Sequence, residues 1–321
     1  MNAPWRPSAS VEHLALRAAL RARARAFFAE RGVLEVETPA LAAAAVTDPQ
    51  IESLRTQVRG RQGPLYLGTS PEFAMKRLLA AGSGDIYQIC KVFRDGESGR
   101  WHNPEFTIIE WYRRGHDDAA LMTEVGDFVT ALLSPHRLIA PAERLTYAAA
   151  LQRHAGVDVW QSSDADLARA AAAHGVVCDG SLDRDGRLDL LMGLVVGPQL
   201  GRERPTFVCD YPASQASLAR LKPGEPPVAA RFELYLDGLE LANGFHELVS
   251  ASEQRARFER DLAVRRVRGQ HEPRIDEYLL AALAAGLPDC AGVALGFDRL
   301  TAVAAGAASL REVMAFPIEN A

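Results

Sequence analysis

VFRDGESGRWHNPEFTIIEWY, residues Val92–Tyr112, is the stretch on which the fold turns. Two β-rich runs, Tyr87 to Arg94 and Phe106 to Tyr112, flank Asp95 to Glu105, which is rich in glycine, charge and Asn-Pro turn chemistry. That pattern predicts an antiparallel hairpin with a long loop. Side chains alternate along a strand, so Phe106, Ile108, Glu110 and Tyr112 share one face, and a half-polar face lines a pocket more readily than a core. His102, Phe106 and Glu110 recur at spacing four while Arg94 closes the preceding strand. A cation, an imidazole, a ring and a carboxylate therefore converge on one loop. An arginine fork suits a phosphate and an aromatic ring suits a purine face. On these residues alone, a core Phe106 and a surface Arg94 remain an open alternative.

Working outward, Ser10 can cap a helix whose apolar positions Leu16, Leu20, Ala24 and Phe27 recur at helical spacing until Gly32. Residues 1–10 read as a tail. The run Val33 to Pro39 is β-rich and stopped by a proline that cannot donate to a ladder. Residues 117–205 read as a mostly helical insertion without residues that suggest chemistry. The sheet resumes at Thr206, and Arg231–Leu236 and Leu239–Gly244 form a second hairpin about the two-residue turn Asp237-Gly238. Strands joined by hairpins with helices outside them predict one α+β domain over 1–321, a mixed, mainly antiparallel sheet flanked by helices.

The second hairpin predicts a pairing of Tyr235 with Glu240 and of Glu233 with Ala242, which puts Glu233 and Glu240 on one face. Two carboxylates that close repel unless a cation sits between them, and magnesium carrying nucleotide phosphates is a natural one. A solvated pair on a sheet edge is the plainer alternative and stays open. Near the carboxyl terminus, Gly292–Leu300 matches no glycine-rich phosphate motif. Its Arg299, at a predicted helix start, is placed to clamp a terminal phosphate or else to pair with Asp298.

Totals limit the options. The chain has 321 residues, 48% of them hydrophobic, and a formal charge of -5, which suits a large packed core and argues against nucleic-acid binding by bulk electrostatics. Cys90, Cys178, Cys209 and Cys290 are too scattered for a zinc site or disulfide framework, so reduced thiols and a cytoplasmic setting are expected. No leader-like or membrane-spanning run is read, so export and membrane association are not expected.

Together these segments resemble the class II aminoacyl-tRNA synthetases. Phe93-Arg94 followed by His102, Phe106 and Glu110 looks like that class's motif 2; Gly292 to Leu300 looks like motif 3; and the opening helix with Pro39 resembles the dimer-forming motif 1. The resemblance implies that class's catalytic fold and a homodimer. Ser70-Pro71-Glu72, Met75-Lys76-Arg77-Leu78 and Glu240-Leu241-Ala242-Asn243 through Glu247 are lysyl-type sequences, so a lysine-like substrate is implied. By the same resemblance, ATP is held by Arg94, Asp95, Gly96, His102, Asn103, Phe106, Glu240, Leu241, Gly296 and Arg299. Catalytic charge stabilisation falls to Arg94 and Arg299, and Mg2+ to Glu233 and Glu240. The amino acid is held by Ser70, Pro71, Glu72, Tyr112, Asn243, Glu247 and Ala294. The loop departs from the usual motif 2 in carrying Gly96 where the class has glutamate, with Glu97 one residue later.

Lysyl-tRNA synthetases carry an amino-terminal anticodon-binding barrel, whereas this chain reaches the motif 1 helix within about a dozen residues, so no anticodon-binding domain is expected. Over nearly its whole length it is similar instead to the ligases that attach (R)-β-lysine to elongation factor P, with Ser70 and Ala294 where lysyl-tRNA synthetases usually have alanine and glycine. The extra hydroxyl and methyl disfavour an α-amino acid. That resemblance implies a ligase that makes an aminoacyl adenylate from ATP and (R)-β-lysine, the latter supplied by a lysine 2,3-aminomutase. It implies transfer to a lysine of elongation factor P, with no stable tRNA binding. Two other readings stay open: a truncated lysyl-tRNA synthetase-like ligase acting on a tRNA or small molecule, and a regulatory subunit that binds without activating.

Overall fold

The computed structural model describes residues 5–180 and 182–321; of the expected tail over 1–10, residues 1–4 lie outside the described residues. The chain forms two compact units, one from Met1–His116 and Leu248–Ala321, the other from Asp117–Glu247.

In the first unit, α1 (Val11–Ala29) is capped by Ser10, whose hydroxyl accepts the His13 N–H at 3.2 Å, and Gly32 follows it at φ +65°. Its buried stripe of Leu20, Ala24, Phe27 and Phe28 includes a ring stacked 4.2 Å from Tyr87. The β-rich run after it forms only the two-residue β1 (Leu34–Glu35). Proline at 39 has no N–H for a ladder, and the Thr38 hydroxyl is turned to Gln88 at 3.0 Å. β2 (Leu41–Ala42), β3 (Arg55–Thr56) and β4 (Leu65–Leu67) make a small antiparallel sheet in the order β2-β4-β3. α2 (Glu72–Ala80) leads into the expected hairpin of β5 (Ile86–Phe93) and β6 (Glu105–Arg114).

The second unit opens with α3 (Asp118–Leu133), β7 (Glu143–Thr146), α4 (Tyr147–Ala155), α5 (Asp164–Ala173) and α6 (Arg184–Leu191). It continues through β8 (Thr206–Pro212), β9 (Leu221–Lys222), β10 (Val228–Leu236) and β11 (Leu239–His246). The segment read as a helical insertion thus contains a strand, β7, parallel to β8, and the unit runs on to Glu247. Its sheet is ordered β11-β10-β8-β7, with β9 also on β10. Tyr147, Leu151, Leu167, Leu191 and Val208 close its core.

The turn of the second hairpin has both central residues at positive φ, Asp237 at 55° and Gly238 at 78°, as a two-residue hairpin turn requires. It is clamped by Leu200 and Gly201, whose carbonyls accept the Gly238 and Asp237 N–H groups at 2.9 and 2.8 Å. A Cβ on Gly201 would lie 2.5 Å from Leu236 Cα and from Tyr235 O, at a φ of +69°. Gly201→Ala is therefore expected to destabilise the protein by roughly 3 kcal/mol or more, because backbone cannot move aside as a side chain can. Urea unfolding monitored by circular dichroism checks it.

The chain returns to the first unit with α7 (Ala251–Val267), α8 (Glu277–Gly286), β12 (Cys290–Gly296) and α9 (Phe297–Ala305). β12 lies antiparallel to β6, so the order there is β1-β5-β6-β12, with only β1 parallel to its neighbour. The architecture is the expected mixed, mostly antiparallel α+β fold. Among the described residues, no helix is long and apolar enough to cross a membrane.

Candidate active site

The register of the first unit's sheet sets Gln88 on β5, Glu110 on β6 and Ala294 on β12 side by side. Cross-strand partners share a face, so Glu110 is flanked by an amide and a methyl. Along β12 that face carries Gly292, Ala294 and Gly296, so nothing larger than a methyl projects from it. The result is a floor of small residues beside Glu110.

Glu110, at 2% exposure, accepts the Ser70 hydroxyl on Oε2 at 2.7 Å and the Tyr112 hydroxyl on Oε1 at 2.8 Å. Ser70 in turn accepts the Glu72 N–H at 2.9 Å, at the start of α2 beside Pro71. One turn along the helix, the buried Lys76 ammonium donates to Glu72 Oε1 at 2.7 Å. Burial first, and then the Glu72 charge, push the Glu110 carboxyl up to about 8. One lysine balances one carboxylate, and the second carboxyl keeps its proton. The Lys76 charge also pulls the Glu110 carboxyl down, but less than burial and Glu72 push it up. Sequence alone points to Ser70, Glu72 and Tyr112 as amino-acid contacts, and the structure adds Glu110 to them. The missing signal was register, since only the strand pairing brings Ala294 and Gln88 against it.

At the loop end of the hairpin, the Arg94 guanidinium lies 5.1 Å over the Phe106 ring, and its Nη1 is 3.4 Å from Glu97 Oε1. Gly96 has φ +77°, a conformation that favours glycine and turns the chain so that Glu97 reaches back to Arg94. The Asp95 N–H is docked on the Glu52 carbonyl at 2.9 Å. On the other limb, Arg299 in the first turn of α9 donates from Nε to Trp101 O at 3.2 Å and from Nη2 to His102 Nε2 at 2.8 Å. Burial, then the Arg299 charge, lower the His102 pKa, so the ring is a neutral acceptor. Asp298 is held by Arg17 at 2.5 Å and by the Thr107 N–H at 2.6 Å. Asn103 ties the loop to the carboxyl-terminal end of the chain, donating to Glu105 O at 2.6 Å and accepting the Ile318 N–H at 2.9 Å. Gly296 is the residue preceding α9.

In the second unit the hairpin register differs from the simple count. Tyr235 faces Glu240 as predicted, but Glu233 faces Asn243 rather than Ala242, because the register shifts between Leu234 and Tyr235. An extra residue at the buried Leu241 accounts for the bulge. Glu233, Glu240 and Asn243 still share a face, each through its cross-strand partner. Glu233 accepts Arg231 Nη2 on Oε1 and the Tyr235 hydroxyl on Oε2, both at 2.6 Å. Burial opposes the Arg231 charge, yet Glu233, followed by Tyr211, Asp189 and Glu240, raises its pKa. The positive charge beside this carboxylate pair is thus an arginine of the chain itself. Among the described residues no group of three or more His, Cys, Asp or Glu side chains comes together as a metal site. Two hard carboxylate donors fit a Mg2+ ion whose remaining ligands come from phosphate and water. Glu247, fully buried, closes the hairpin through a bridge to Ala219.

The mostly antiparallel sheet of the first unit thus carries two arginines near the loop end of its hairpin and a buried acidic cluster on the face of Glu110. The family model of the tRNA synthetases class II (D, K and N) matches residues 4–320, and the chain belongs to that family, whose members are ATP-dependent ligases. Proteins from Salmonella dublin and Salmonella paratyphi B, each called Elongation factor P--(R)-beta-lysine ligase, are 50% identical to it over 326 residues. The match covers 100% of this chain and 99% of each relative.

Proposed function

We propose that the protein activates (R)-β-lysine with ATP and transfers it to a lysine side chain of elongation factor P. The observation that carries this reading is the cluster of Glu72, Lys76 and Glu110, in which two carboxyl groups stand beside one lysine, so that a substrate ammonium would balance the second of them. Ala294 and Ser70 add a methyl and a hydroxyl beside Glu110, which disfavours an amino group on the carbon next to the carboxyl and favours one displaced along the chain. The names of the two Salmonella relatives support the same amino acid and acceptor.

In the first step a carboxylate oxygen of the amino acid attacks the α-phosphorus of ATP, pyrophosphate leaves, and an aminoacyl adenylate forms. In the second the acceptor lysine amine attacks the adenylate carbonyl, the amide forms and AMP leaves. No enzyme nucleophile is needed. Phe106 offers a face for adenine, and Arg94 and Arg299 stabilise charge that moves onto the leaving phosphates. Asp95, Gly96, His102, Asn103, Leu241 and Gly296 complete the ATP contacts, while Tyr112, Asn243, Glu247 and Pro71 complete the amino-acid contacts. Glu233 and Glu240 would hold Mg2+, which when bound offsets phosphate charge. The same proposal includes a homodimer, a cytoplasmic setting and supply of the amino acid by an aminomutase.

Purified elongation factor P incubated with enzyme, ATP and (R)-β-lysine should gain the mass of one β-lysyl group. Charging of lysine tRNA with no modified factor would sink the proposal in favour of a lysyl-tRNA synthetase-like ligase. In ATP–pyrophosphate exchange, Ala294→Gly is expected to shift preference roughly tenfold toward lysine, the usual effect of one methyl-sized group.

A further inference from the structure

The segment 47–52 has no ladder of its own, yet the carbonyls of Thr47, Asp48, Pro49 and Ile51 are taken by side chains from one place. Arg265, near the end of α7 and 1% exposed, donates from Nε to Thr47 O at 2.9 Å. Its Nη2 donates to Asp48 O at 2.8 Å and Ile51 O at 2.5 Å; its Nη1 donates to Glu52 Oε2 at 2.8 Å and His271 O at 2.9 Å. Each of the five guanidinium N–H donors therefore has an acceptor. Gln270 adds a bond to Pro49 O at 2.9 Å. A lysine has three donors without the planar fork and cannot reproduce this set.

Such a densely held irregular segment invites the question of what it presents. Its last residue, Glu52, sits opposite Asp95 in an isolated bridge, and the Glu52 carbonyl accepts the Asp95 N–H. Asp95 opens the loop whose Glu97 holds Arg94 above Phe106. The chain of contacts runs from Arg265 through Glu52 and Asp95 to Arg94 without leaving the first unit.

We infer that Arg265 is a positioning residue for nucleotide binding: it sets the Glu52 carbonyl on which the Arg94–Glu97 loop is docked. The inference rests on the proposal that this loop binds ATP. Because the amino-acid pocket of Ser70, Glu72 and Glu110 shares none of these bonds, the arginine acts on ATP and leaves the amino acid alone.

The test is ATP–pyrophosphate exchange with the full-length protein, wild type beside Arg265→Lys and Glu52→Ala, with hydrogen exchange of the Asp95 amide as a second readout. Glu52→Ala removes one partly exposed side-chain acceptor and spares the rest of the segment, so it decides the matter if Arg265→Lys does not fold. Arg265→Lys should raise KM for ATP roughly tenfold or more, Glu52→Ala by about threefold, with KM for the amino acid within twofold of wild type. The Asp95 amide should lose protection while β6 keeps its own. Folded variants with unchanged KM for ATP, or with both KM values raised alike, overturn the inference. Absence of exchange by the wild-type protein would instead overturn the ATP reading on which it rests.

Discussion

Arg299→Ala is expected to lower the rate of ATP–pyrophosphate exchange by two to three orders of magnitude, roughly what removal of one preorganised charge donor costs. The side chain is held at two points, Trp101 O and the neutral His102 ring, so its fork is oriented before any ligand arrives. A guanidinium fixed in this way loses little entropy when it meets a phosphate, and two parallel donors match two phosphate oxygens. Arg299→Lys keeps the charge but neither the fork nor both tethers, so it should recover only a small part of the rate. His102→Ala should give a milder loss, seen mainly in KM for ATP, because it releases Arg299 without deleting it. Folding should be spared in each case, since Arg299 sits in the first turn of α9 and the buried anchor of that helix, Asp298, is held by Arg17 and Thr107. Rates for the variants within fivefold of wild type would show that this arginine does not face the phosphates.

The second large effect concerns Glu110. With its carboxyl pushed up to about 8, it is protonated in the free protein at neutral pH and must ionise to receive an ammonium. Amino-acid KM should therefore fall about tenfold per unit as pH rises toward 8 and level off above it. Glu110→Gln keeps the shape and a carbonyl for Ser70 or Tyr112 but loses the charge. It should raise KM for the amino acid about a hundredfold at pH 8 and flatten the profile. Stability moves in a related way. The folded state holds a proton that the unfolded chain releases above the ordinary carboxylate range, so wild-type stability declines as pH rises from about 4.5 to about 8. Glu110→Gln should abolish that decline, so thermal denaturation at pH 5 and pH 8.5 separates the two proteins. An unchanged KM profile in the variant would remove Glu110 from the substrate site.

Much of this was legible from local pattern. The motif hairpin announced itself because alternation, a long polar loop and Asn-Pro chemistry are all properties of neighbouring residues. The α1 cap and the Asp237-Gly238 turn were readable for the same reason. The Glu233 register was not, because a single extra residue at Leu241 leaves alternation on either side intact and shows only in which residues pair. The short β1 and the strand β7 inside a helix-rich segment were hidden likewise, since a two- to four-residue strand exists only by virtue of its partner.

What the sequence by itself determined is the set of chemical groups and their order along the chain: Arg94 just after one strand, Phe106, Glu110 and Tyr112 on the next, Ala294 on a third and Arg299 at a helix start. What only the tertiary structure decided is which of them neutralise one another. Lys76 is paired with Glu72, Arg17 with Asp298, Arg231 with Glu233 and Arg94 with Glu97, while burial and the Glu72 charge leave Glu110 with a proton. Charge balance acts over a few ångströms between residues as distant in the chain as Arg17 and Asp298, so it is settled by packing and register rather than by any local run of residues.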